Sequence, residues 1–126
     1  MTIDEKVEQL AQYLPSLRDV ADPATVQGIV QVWYTALDMS PWETFDQAKF
    51  KEGMDDITLI SHVNSSVECA LSLARIIHKY HGCNFDEQRI IILGLLHDVD
   101  RGWNMSTTKT VNWWFQKLAE KSSMVC

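Results

Sequence analysis

The stretch Ile90-Ile91-Ile92-Leu93-Gly94-Leu95-Leu96, closed by His97-Asp98, constrains the fold more than any other part of the chain. Seven residues without a polar side chain have to be covered by the rest of the protein. An ionised carboxylate placed directly after them is costly unless something compensates it. A run of this length suits either a buried strand or a buried helix, because periodicity cannot separate the two. Asn84 followed by Glu87 is a capping-box pattern that starts a helix, and no partner strand is evident elsewhere, so the segment is read as helix.

The remainder of the chain agrees with an all-α class. Five glycines and three prolines punctuate 126 residues, while Val, Leu, Ile and Ala recur at three- and four-residue steps. A first helix is predicted from about Ile3 to Leu14, with Val7, Leu10, Ala11 and Leu14 on one face, stopping before Pro15. Asp22 caps a second helix with Pro23 at its first position, and Val26, Ile29, Val30, Trp33 and Leu37 form its stripe until Ser40-Pro41. Residues 42 to 56, with Trp42, Phe45 and Phe50, read as an aromatic-anchored connection containing a short helical turn. A long helix follows from about Thr58 to His81 and ends at Gly82, the usual residue for a left-handed C-terminal position. After Gly102, the positions Val111, Trp114, Phe115 and Leu118 define a last amphipathic helix.

A chain of this length with 46% apolar and 22% charged residues is expected to form one domain, residues 1–126, with its own core. Its formal charge of -6 gives no general attraction for nucleic acid or anionic lipid. No apolar run approaches the roughly twenty residues needed to cross a bilayer. The first twenty residues carry Asp4, Glu5, Glu8 and Asp19 in place of a signal-peptide pattern, so a cytoplasmic address is expected. Cys69, Cys83 and Cys126 are odd in number and lack CxxC spacing, which argues for reduced thiols rather than a disulfide framework.

The chemistry is concentrated in two helices. Stepping about 100° per residue along the long helix, Ile60, Val63, Val67, Ala70, Leu73, Ala74, Ile76 and Ile77 sweep a broad arc that includes His62. The next helix ends in His97 and Asp98, so two helices in succession each present an inward histidine, the second with an adjoining aspartate. Mixed nitrogen and oxygen donors suit manganese, iron, zinc or nickel better than calcium. Taken alone, an inward histidine is more often a hydrogen-bonded core residue than a ligand. His78, His81 and Cys83 form a second cluster, but histidines in the last turn of a helix complement its dipole, and that reading is preferred there.

The string from Thr58 to Val67, with His62, followed about thirty residues later by Ile92-Leu93-Gly94-Leu95-Leu96-His97-Asp98-Val99-Asp100-Arg101, resembles the HD-domain superfamily of metal-dependent phosphohydrolases. The resemblance covers residues 57 to 101 and is faint elsewhere; residues 1–56 are a helical lead-in and 102–126 an aromatic tail. It implies an HD-like helical bundle of about five helices. It further implies a divalent transition metal (Mn, Fe, Zn or Ni) held by His62, His97 and Asp98. The implied reaction is hydrolysis of a small phosphorylated metabolite or nucleotide, with Asp98 and Arg101 as catalytic residues. Arg101 stands where the family usually has lysine, which keeps the charge but exchanges a point cation for a planar fork. The family's fourth ligand is a downstream aspartate, and no Asp follows Asp100, so the resemblance implies either a shortened or divergent copy or a fourth position filled by water, by Asp100 or by a partner chain. The competing reading is a catalytically incomplete HD-like module that binds a partner or self-associates through Trp113, Trp114 and Phe115. Neither reading expects a nucleic-acid polymer or a membrane as partner.

Overall fold

The computed structural model describes residues 1–50 and 56–99. It is all-α: α1 (Ile3–Tyr13), α2 (Pro23–Asp38), α3 (Leu59–His81) and α4 (Glu87–Leu96), with 3₁₀ turns at Pro15–Asp19 and Phe45–Gln47. The predicted helix at Val111–Leu118, with Trp113 and the rest of the tail, lies outside the described residues, as do Asp100 and Arg101. Among the described residues, no helix is long and apolar enough to cross a membrane.

Each helix starts where a short polar side chain satisfies a free backbone N–H. Thr2 accepts from Glu5 N, Asp22 from Thr25 N, Thr58 from Ser61 N and Asp86 from Arg89 N. The hydroxyl of Thr25 also donates to Asp22, and this hydrogen bond is the main reason the Asp22 carboxyl sits below its ordinary pKa. The cap of α4 corrects the sequence reading, which had assigned it to Asn84. Asp86 occupies the extended cap conformation one residue before the helix, and Glu87 is already the first helical residue. Gly82 ends α3 in the left-handed conformation, at φ 70°.

The core is built from Leu10, Ala11 and Leu14 of α1, Ile29, Val30, Trp33 and Ala36 of α2, Leu59, Ile60, Val63 and Val67 of α3, and Ile91, Leu95 and Leu96 of α4. Phe45 brings the connection between α2 and α3 into this core. The rings of Tyr13, Trp33 and Tyr34 each meet it edge-on at 5.0–6.0 Å. Below it, Lys49 and Thr58 pair as an isolated antiparallel bridge, with Phe50 N donating to Ile57 O (3.0 Å) and Leu59 N to Ala48 O (2.9 Å). The entry to α3 is thereby fixed from both sides.

α3 and α4 form an antiparallel hairpin. Arg75 pairs with Glu87 (2.8 Å) near the turn, Gly94 lies against Val67 in the middle, and His62 meets Asp98 (2.7 Å) at the open end. With 23 residues against 10, α3 is about 35 Å long and α4 about 15 Å. The shorter helix covers only one face of the longer one. The broad apolar arc read from the sequence is therefore too wide: Val63, Val67 and Ala74 are buried, whereas Ala70, Leu73 (59% exposed) and Ile76 (53%) face outward. Cys69 is a free, exposed thiol, but Cys83 is disulfide-bonded, which corrects the expectation of reduced thiols at that position. An odd count excludes complete pairing without excluding one bridge, and the thiol argument for a cytoplasmic address falls with it.

Candidate metal centre

Three residues predicted from the sequence meet at the open end of the hairpin. His62 lies one turn into α3, with its orientation set by the Thr58 cap and the Lys49–Thr58 bridge. His97 is the C-cap of α4, and Asp98 follows in the turn that continues through Val99 N to Leu96 O (3.3 Å). The end of α4 is held from the core side by Trp33, whose indole N–H donates to the buried carbonyl of Leu95 at 2.9 Å. This bond satisfies one of the carbonyls that a helix leaves without an intrahelical partner. Asp98 is the only charged residue buried among the described residues.

The donor atoms converge. Nε2 of His62 and Nε2 of His97 each lie 2.7 Å from Oδ2 of Asp98, and the three ligand atoms fall within 4.8 Å of one another. The side chains of His97, His62 and Asp98 are 38%, 26% and 11% exposed, so the cluster sits at the bottom of a solvent-reachable edge. The ring of Phe50 stacks on His62, with centroids 3.7 Å apart and planes at 22°. Ser66, one turn further along α3, places its hydroxyl 3.5 Å from His62 Nε2.

His97 carries the most informative geometry. Its Nδ1 lies 3.0 Å from the carbonyl of Gly94, which can only accept, so Nδ1 holds the hydrogen. In the neutral ring Nε2 is then a bare lone pair, yet it points at Asp98 Oδ2, an acceptor as well. Two acceptors at 2.7 Å are mutually repulsive unless a cation, either a proton or a metal ion, lies with them. An imidazole whose far nitrogen donates to a backbone carbonyl, leaving the near lone pair available, is oriented as metal-ligating histidines are. Ligand atoms about 2.1 Å from a tetrahedral ion lie about 3.4 Å apart. That separation falls between the 2.7 Å contacts and the 4.8 Å outer limit seen here, so the donor set fits a divalent transition metal with side-chain shifts under about 1 Å.

The second sequence cluster does not assemble in this way. His78 Nδ1 donates to the carbonyl of Cys83 (3.0 Å), and its ring meets Phe85 edge-on at 6.0 Å. With Lys79 and His81 it lies in the last turn of α3, as the dipole argument expects. Two features of the centre escaped the sequence reading. Phe50 is twelve residues before His62, across a connection without periodicity, and nothing in the sequence aligns their rings. Gly94 was read as part of an apolar run, but a Cβ there would come within 2.6 Å of Val67 Cγ2, so the missing side chain lets α3 and α4 approach closely.

Beside the cluster, Ser66 and Ala70 of α3 and Ile90, Leu93, Gly94 and His97 along α4 line a cavity of about 290 Å³. No family model, curated protein or solved structure matches the chain.

Proposed function

We propose that the protein is a metal-dependent hydrolase of the HD type that cleaves a phosphoester of a small molecule, with His62, His97 and Asp98 holding one divalent transition metal. The observation that carries this reading is the pair of opposed acceptors, His97 Nε2 and Asp98 Oδ2, completed by His62 across the hairpin. A divalent ion bound there supplies Lewis acidity toward a phosphoryl oxygen and makes water easier to deprotonate near neutral pH.

The chain's own residues do the rest. The Gly94 carbonyl fixes the His97 tautomer, Phe50 fixes the plane of His62, and the carboxylate of Asp98 is held where it can take the proton of an attacking water. Water adds to phosphorus, the P–O bond to the organic group breaks, and the departing alkoxide takes up a proton to leave as an alcohol. Arg101, three residues beyond Asp98, is assigned to neutralise phosphate charge.

The test is elemental analysis of the purified protein beside a His62→Ala/His97→Ala variant, with folding checked by circular dichroism. About one equivalent of manganese, iron, zinc or nickel in the wild type, lost in a folded variant, supports the reading and leads to a screen of phosphoesters. No metal in either protein, after incubation with each of the four ions, overturns it in favour of a binding module without a centre.

A further inference from the structure

We infer that the cavity beside the cluster is the seat of the substrate's organic group, and that this group is apolar: an alkyl or aryl phosphoester rather than a nucleotide or sugar phosphate. The inference rests on the function proposed above and narrows its substrate class.

Position comes first. His97 belongs both to the ligand cluster and to the cavity wall, and Ser66 lines the cavity while its hydroxyl lies 3.5 Å from His62 Nε2. A phosphoryl group at the cluster would therefore direct its ester substituent along the groove between Ala70 and Leu93. Wall chemistry then selects the substituent. Among the described residues, the lining side chains apart from Ser66 and His97 are Ala70, Ile90 and Leu93, with Gly94 contributing backbone only. A ribose or nucleobase laid against this open groove meets few polar partners among the described side chains, and each donor or acceptor turned toward Ala70, Ile90 or Leu93 gives up water without replacement. A hydrocarbon group loses nothing there and gains from leaving water. Size agrees: a cavity of about 150 Å³ suffices for benzene, so about 290 Å³ takes a six- to eight-carbon chain or a substituted ring.

The decisive experiment uses non-hydrolysable alkylphosphonates, methyl to hexyl, titrated calorimetrically into manganese-loaded protein, after manganese stoichiometry has been measured separately. Affinity is expected to rise roughly fourfold per added methylene. The variant Ala70→Phe, at an exposed position on the cavity rim, should flatten the series while leaving manganese stoichiometry unchanged. Wild-type protein that binds manganese but shows no dependence on chain length overturns the inference and leaves the metal centre standing. A rise with chain length that survives Ala70→Phe overturns it too, because the hydrocarbon then lies elsewhere. Adenosine monophosphate binding more tightly than hexylphosphonate does the same for the substrate class. Absence of binding by manganese, iron, zinc and nickel alike removes the centre itself, and this inference with it.

Discussion

At His97 the two ring nitrogens have separate duties: Nδ1 donates to Gly94 O and so leaves Nε2 to face Asp98. His62 has no such anchor among its described contacts and is steadied by the face of Phe50 instead. Phe50→Ala is expected to weaken manganese binding about 10- to 100-fold with little change in helicity, which titration calorimetry beside circular dichroism will check. Unchanged affinity would make the stacking incidental. The cluster of His62, His97 and Asp98 was legible in the sequence, since a His-Asp pair ending an apolar helix and a histidine one helix earlier are close-range patterns. The Phe50 contact was not, because it joins segments whose relative placement depends on the Lys49–Thr58 bridge and on the insertion of Phe45 into the core.

At the scale of the helices, the α3–α4 contact depends on one small residue and one long-range hydrogen bond. Gly94→Ala gains about 1 kcal/mol of helix propensity but drives a methyl into Val67, a stiff branched side chain in the core, and overpacking of this kind costs about 1–3 kcal/mol. A net loss of stability is expected in urea denaturation. Combined with Val67→Ala, it should cost less than the sum of the two single changes. Trp33→Phe keeps most of the ring volume but strips the donor from the Leu95 carbonyl, and should cost about 1–3 kcal/mol. It should also lower metal affinity, because that carbonyl lies two residues before His97. Helix existence and most boundaries were readable from caps and periodicity. The outward face of α3 was not, because a stripe of Ala70, Leu73 and Ile76 is apolar whether or not a neighbour covers it. The end of α4 at Leu96 coincides with the end of the apolar run, but which face of α3 it covers is set by packing.

For the whole molecule, the hairpin is joined to α1 and α2 through a shared core and through Gln88, whose amide accepts from Ala21 N (2.8 Å) and donates to Asp19 O (2.7 Å). An ion that binds the folded protein alone should raise its stability by about 2.7 kcal/mol at a hundredfold excess over Kd. The melting temperature of the wild type should therefore climb with manganese concentration, and that of His97→Ala should stay level; equal shifts in both would assign the binding to another place. The all-α class could be read from the sequence because helices announce themselves locally, whereas the groove beside the cluster is a relation between two helices and takes its shape from packing. The hairpin is tied at the Gly82 end by peptide, and at the other end the side chains of His62, His97 and Asp98 meet across it. A cation bound to those side chains would turn residues 62–98 into a closed ring. Fraying of the last turn of α4 and escape of the ion would then be one event, and the residence time of the ion would be set by how often the helix end opens.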